Sequence, residues 1–335
     1  MLKATTRLPK SSRCVRPRYS SALAGSRALP PKINTLSYDL NDVPLELFRD
    51  TAFVPGKPIH IAPSRENDGG KDTKCRAYPA QEKWFCRVEG EADLQRNTHM
   101  VPAEKYLSQF ADTILPYELT LDLTKESTPK IRDAQDEMSQ VIASLLESSP
   151  NASFHRFNAP LSLFLQAYTS SVRPRKLYIA QAQIADLPKQ LQDDLPVPRI
   201  VQDAGKGDIY DSNIWMGMPP TYTPLHKDPN PNLFVQLVGR KVIRLFKPDV
   251  GLRIFRTVQE RIGQHASSVF RGEEMMEGPE RDALDKAVWG GGSKMEVFEA
   301  IVHPGEALFI PKGWWHSIKS AGPDLVNASV NWWFR

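Results

Sequence analysis

From Lys176 to Arg335 the chain is a succession of short β-branched and aromatic runs, and nothing else in the sequence limits its fold as much. "KLYIAQAQI", "NIWMGM", "LFVQLV", "KVIRLF", "MEVFEAIV", "EALFI" and "LVNASVNWWF" are separated by Gly, Pro or Asp turns. Many short strands at close spacing imply an antiparallel sandwich or barrel, which leaves few open edges. One interval breaks the rhythm. Near residues 251–295 the chain is rich in Arg, Glu and Gly with weak helical patterning, and it reads as an insertion between strands.

The region before Lys176 is mixed. "ELFRDTAFVPGKPIHIA" predicts a short helix, a turn at Pro55-Gly56 and a strand through Ile59–Ile61. "RENDGGKDTK", Arg65 to Lys74, has no apolar residue and reads as a loop. Thr128 is a plausible N-cap with Pro129 in the first turn. Ile131, Ala134, Met138, Val141, Ile142 and Leu145 then follow helical spacing until "SSPN". "PLSLFLQAYTSS" and "DLPKQLQDDL" read as two further helices. Such a helical layer needs the barrel to bury its apolar face. Residues 36–335 are therefore expected to form one α+β domain with a mainly β core: 36–175 the mixed part, 176–335 the barrel.

At 335 residues, 41% hydrophobic and 24% charged, the composition is that of a globular protein with a sizeable core. No apolar run approaches the roughly 20 residues that cross a bilayer, so no membrane span is expected. Cys14, Cys75 and Cys86 are sparse, odd in number and without a C-x-x-C pair. That argues against a disulfide scaffold or a cysteine zinc site, and suits a reducing compartment. The net charge of +4 is unevenly spread. Residues 1–38 hold eight basic residues and no acid, and removing those eight positive charges from +4 leaves −4 on the remainder. An acid-free tail of Arg, Ser and Ala has the composition of a mitochondrial transit peptide. Residues 1–35 are thus read as a targeting or disordered segment, with a mitochondrial location expected and the cytoplasm as the alternative. The acidic body weighs against a nucleic-acid footprint.

His226 and Asp228 in "TPLHKD" are two apart, so on a strand they share a face. His316 in "ALFIPKGWWHSIKS" stands at the end of another apolar run and offers a third ligand. Two imidazoles and one carboxylate leave three coordination positions open, which suits a non-haem Fe(II) oxygenase. Lys241 would then neutralise an anionic cosubstrate as a compact point charge. Taken singly, "HKDPNPN" also reads as a solvated turn with an Asx cap, and His316 as a satisfied buried histidine. The other histidines are poorer ligands. His60 lies in a strand with no carboxylate at matching spacing, His303 is expected to be exposed beside Pro304, and His99, His155 and His265 fall in polar surroundings.

The stretch from Lys176 onward resembles the JmjC and cupin-like 2-oxoglutarate oxygenases, especially their asparaginyl-hydroxylase-like branch. That branch has a Thr three before the first His, here Thr223, an Asn six after it, here Asn232, and a Lys in a G-x-K turn, here Lys241 in "GRK". Its distal His follows P-x-G-W-W-H, here "PKGWWH", and an Asn, an aromatic and a Trp come later, here Asn331, Trp332 and Trp333. An upstream L-Y strand matches Tyr178 in "KLYIAQ". "PGKPIHI" and "KWF" are similar to the branch's first strand and helix, so the likeness extends loosely back to residue 40, omitting the insertion and the tail.

The resemblance implies a double-stranded β-helix with helices packed outside it, holding Fe(II) through His226, Asp228 and His316. It implies 2-oxoglutarate and O2 as cosubstrates. The far carboxylate would meet Lys241, with Thr223, Tyr178 and Asn232 as donors nearby, while Asn331 and Trp333 would line the iron side. The implied activity is hydroxylation of a protein side chain. The alternatives are a modified tRNA base as substrate, or a non-enzymatic cupin-like metal-binding protein. Histone demethylation is disfavoured, because zinc-finger Cys/His sets and a reader domain are missing from the sequence. With "NWWF" so close to Arg335, a family-style dimer through a C-terminal helix is not expected.

Overall fold

The computed structural model describes residues 33–63, 78–89, 98–121, 137–149, 151–168, 176–264, 276–290 and 296–335. The basic tail, the Arg65–Lys74 loop, the Thr128 cap, Cys14, Cys75 and His265 lie outside the described residues.

Fifteen strands are described: β1 (Thr35–Leu36), β2 (Ile59–Ile61), β3 (Phe85–Glu89), β4 (Thr98–Pro102), β5 (Ile114–Thr120), β6 (Phe154–Pro160), β7 (Leu177–Gln183), β8 (Ile209–Gly217), β9 (Tyr222–Lys227), β10 (Asn232–Val238), β11 (Arg240–Phe246), β12 (Phe298–Val302), β13 (Ala307–Ile310), β14 (Trp315–Ala321) and β15 (Asn327–Phe334). The larger sheet has the order β1-β2-β13-β10-β15-β8-β7-β5-β6, the smaller one β12-β11-β14-β9, and β3-β4 form a hairpin. From β8 to β15 the chain passes back and forth between the two large sheets, the connectivity of a double-stranded β-helix. Only the β11–β12 step stays within one sheet.

Strand alternation builds the layers, because successive side chains point to opposite faces. Phe234, Leu308 and Ile310 of the larger sheet meet Ile243, Leu245, Ala300 and Val302 of the smaller one in the barrel interior. The opposite face of the larger sheet, with Leu233, Val235, Val330 and Trp332, packs beneath the helical layer that includes Phe48, Leu163 and Phe164.

Among the described residues the insertion forms two helices, α1 (Pro248–Ile262) and α2 (Gly278–Trp289). Pro248 opens the first helix, and Gly263, at φ 67°, closes it in the left-handed conformation that glycine adopts without steric cost. Ile254, Phe255 and Val258 of α1 and Leu284 and Val288 of α2 cover Leu225, Phe246 and Trp315 on the outer face of the smaller sheet. The weak patterning of this segment thus conceals a third packed layer.

The mixed region holds more strand than the sequence reading gave it, including β1 and the β3–β4 hairpin. Helices at Glu137–Ser148, Leu161–Ala167 and Lys189–Asp193 match the helical stretches. However, "ILPYELT" and "FHRFNAP" are strands β5 and β6, which extend the larger sheet. Leu115, Tyr117 and Leu119 alternate inward on β5. Pro116, Pro160 and the polar residues on the other face dilute that period.

Candidate metal centre

Strands β9 and β14 run antiparallel with His226 directly opposite His316, and Asp228 follows immediately after β9. Directly opposed residues share a face of the sheet. One ligand atom from each of the three residues lies within 4.8 Å of the other two. His226 Nε2 is 3.7 Å from Asp228 Oδ1, and His316 Nε2 is 3.7 Å from Asp228 Oδ2. The His226 Nδ1–H donates to Pro224 O at 2.9 Å, which leaves Nε2 free to ligate. His316 Nδ1 lies 3.4 Å from Trp314 O.

The spacing between Thr223 and His226 is odd, and a regular strand would place them on opposite faces. Here Thr223 pairs with Ile318 while His226 pairs with His316, so the ladder accommodates an extra residue in β9. That bulge returns Thr223 to the face that carries both histidines. Further along, Lys241 on β11 pairs with Ser320 on β14, which places it on the same face.

Burial alone would raise the Asp228 pKa. The neighbouring His316 and His226, together with Asn232 and Trp333 as hydrogen-bond donors, outweigh that and hold the carboxyl below its ordinary range. His316 is pushed down to about 4, mainly by burial and then by His226, so its imidazole is neutral and suited to ligation at neutral pH. Asn232 Nδ2 donates to Asp228 Oδ2 at 2.8 Å, and Asn331 Nδ2 donates to Asn232 Oδ1 at 2.9 Å. Asn232, Asn331 and Trp333 thus form a relay behind the carboxylate.

Lys241 is buried, its Nζ donating to Ser329 Oγ at 2.8 Å and to the Tyr178 hydroxyl at 3.3 Å. Among the described residues no carboxylate pairs with it, and desolvation lowers its pKa to about 7. Burial also raises the Tyr178 pKa, so the phenol stays protonated. All nine residues singled out in the sequence therefore fall in one region of the barrel.

The sequence reading missed several neighbours. Ser329 is one. Asn213 and Trp215 are others, on β8 opposite Asn331 and Ser329. Their Oδ1 and Nε1 atoms are buried without a hydrogen-bond partner among the described residues. No motif marks such residues, because they become neighbours only through the β8–β15 pairing. A cavity of about 250 Å³ opens beside Tyr178 and Ser320, lined also by Glu118 and Lys176 and by Arg281 and Asp285 of α2. The remaining described histidines stand apart from the centre. His60 does meet a carboxylate, Glu306, at 3.0 Å, because β2 pairs with β13. His303 is half-buried rather than exposed, with its backbone N–H bound to the same Glu306, and His155 is buried.

Two imidazoles and a carboxylate suit a divalent iron, and a buried lysine beside a phenol, with no carboxylate pairing it among the described residues, suits an anionic ligand. A family profile described as a cupin-like domain matches residues 94–335. The chain belongs to the cupin-like domain family. Its similarity extends to JmjC-containing proteins within that family. It is 29% identical over 157 residues to lysine-specific demethylase JMJ30 of Arabidopsis thaliana, covering 47% of this chain and 33% of that one. It is 30% identical over 166 residues to JmjC domain-containing protein C of Dictyostelium discoideum, covering 48% and 36%. With lysine-specific demethylase 8 of Xenopus tropicalis it shares 31% over 160 residues, 47% of this chain and 32% of that one. The matched part of this cupin-like protein spans about a third of each relative.

Proposed function

We propose that this protein is an Fe(II)- and 2-oxoglutarate-dependent oxygenase that hydroxylates a protein side chain. The observation that carries this reading is an open two-His, one-Asp cluster on the same inner face as a buried lysine without a carboxylate partner among the described residues. When bound, iron with 2-oxoglutarate supplies the activation of O2 for oxidation of a C–H bond. The chain's own part is positional. His226, Asp228 and His316 hold the metal, and Asn232 and Trp333 keep the carboxylate turned toward it. Lys241 and the Tyr178 hydroxyl receive the far carboxylate of the cosubstrate through charge-assisted hydrogen bonds. Thr223, on the bulge, shares the face of the two histidines and lies opposite Ile318, two residues along β14 from the Ser320 that pairs with Lys241. The names of the two demethylase relatives support a protein side chain as substrate, and the composition of residues 1–38 supports delivery to mitochondria.

The test is succinate formation from 2-oxoglutarate by purified protein with Fe(II), ascorbate and O2, with Asp228→Ala as control. Slow iron-dependent turnover that disappears in the variant is expected. Neither turnover nor anaerobic binding of 2-oxoglutarate by the wild type would replace this reading with that of a non-enzymatic metal-binding cupin. A fusion carrying residues 1–38 ahead of a fluorescent protein tests the location, and a purely cytosolic signal would overturn it.

A further inference from the structure

The outer face behind the metal centre holds a hydrogen-bonded chain that the mechanism above does not use. Ser317 lies between His316 and Ile318 on β14, where the register across to β9 skips. It therefore faces the stretch Pro224–Leu225 instead of a single partner. Pro224 has no N–H to give the ladder, so this step of the strand pairing is short of a backbone bond. Two side chains replace it. The Ser317 hydroxyl donates to Thr223 O at 2.8 Å, and the Trp289 indole N–H donates to Ser317 Oγ at 2.9 Å. Ser317 is fully buried, and a hydroxyl there is retained at a desolvation cost unless it is bonded.

Trp289 is the last residue of α2, the second helix of the insertion. Its ring is held by the Arg244 guanidinium at 4.5 Å from the centroid and by Lys319 Nζ at 4.9 Å. Arg244 also pairs with Glu299 at 2.7 Å and donates to Val288 O at 2.7 Å. The indole is thus anchored to the smaller sheet before it reaches Ser317.

The two carbonyls around the bulge have separate duties. Thr223 O is held by Ser317, and Pro224 O holds the Nδ1 of His226. A bulge that lost the first contact could relax by one residue, turning either Thr223 or His226 off the inner face. We propose that Ser317, backed by the Trp289 indole, is a positioning residue that holds the β9 bulge and through it the aim of His226 and Thr223. This rests on the reading of the cluster as a metal centre. It gives the insertion a role as a brace behind that centre.

The experiment is Co(II) titration of the metal-free full chain, followed by visible absorption, with thermal melting in parallel. Ser317→Ala is expected to weaken Co(II) binding about tenfold and to alter the ligand-field bands. Ser317→Thr keeps the hydroxyl and restores both. Trp289→Phe keeps the ring contacts but loses the N–H, giving a smaller loss in the same direction. The double variant should match Ser317→Ala alone, because both residues act through one contact. Wild-type affinity and spectrum in Ser317→Ala, or additive losses in the double variant, overturn the positioning role. Should Ser317→Ala not fold, Trp289→Phe decides it, and an unchanged affinity and spectrum there overturn the proposal. Failure of the wild type to bind Co(II) instead overturns the metal-centre reading on which the proposal stands.

Discussion

The ring of Tyr178 occupies the space that a side chain at position 217 would need. The two residues are register partners on β7 and β8, and a Cβ on Gly217 would overlap Tyr178 Cδ2. Gly217→Ala should push the phenol away from Lys241, at an overpacking cost of about 1–3 kcal/mol. Calorimetry should then show 2-oxoglutarate binding weakened about tenfold, the worth of one hydrogen bond to a charged group. Co(II) affinity should be unchanged, since the three ligands stand on β9, just after it and on β14.

The relay behind Asp228 makes a second prediction. Asn331→Ala removes the bond that fixes the Asn232 carboxamide, which in turn orients Asp228 Oδ2. Metal affinity is expected to fall about tenfold, as is usual for residues one step behind a ligand. A Co(II) titration that matches wild type would show that Asn232 holds its orientation unaided.

The buried Lys241 sets a pH dependence. Burial lowers its pKa from 10.5 to about 7, so above about pH 7 the free protein holds it increasingly neutral. A dicarboxylate needs the charged form. Affinity for 2-oxoglutarate should be flat below that pKa and fall by up to about tenfold per pH unit above it, with a proton taken up on binding. Calorimetry in buffers of different ionisation enthalpy detects that proton, and Lys241→Met should abolish both the proton and most of the affinity. The stability contribution has the opposite slope. The unfolded chain binds the proton more tightly, so this group's contribution to folding rises with pH from about 7 toward 10.5.

Asp194 holds the helical layer together. Its buried carboxylate accepts from the Trp84 indole at 2.9 Å, the Tyr106 hydroxyl at 2.5 Å and Lys83 Nζ at 2.5 Å. Burial alone would raise its pKa, but these donors outweigh it and hold the value below the ordinary 3.8. A depressed carboxyl pKa means that the stabilisation is complete above the ordinary value and is lost as pH falls from there through the lower folded-state value. Asp194→Ala should cost about 2–4 kcal/mol in chemical denaturation at neutral pH. A shift below about 0.5 kcal/mol would mean that the donors find water instead.

The three ligands were legible only in conjunction, and Thr223, Tyr178, Asn232, Asn331 and Trp333 only through the likeness to the JmjC and cupin-like oxygenases. His226 and Asp228 are spaced for one face of a strand, and "PKGWWH" follows a run that could only be another strand. What was not legible depends on pairing between distant strands. Ser329 reaches Lys241 across the barrel, and Asn213 meets Asn331, through registers that no stretch of sequence announces. Strands β5 and β6 were hidden because prolines and exposed polar residues blur a period of two over seven residues. Glu306 could not be assigned to His60, since 246 residues separate them and only the β2–β13 ladder brings them together.

The bulge on β9 has a consequence for anyone who would transplant this centre. The residue count from Thr223 to His226 is odd, so a perfectly regular barrel given the same three ligands would turn the threonine outward. A graft would need to carry the surplus residue and something on the outer surface to pin it, here Ser317 and Trp289. Copying the three side chains without that irregularity would reproduce the His226, Asp228 and His316 cluster while turning the threonine away from it.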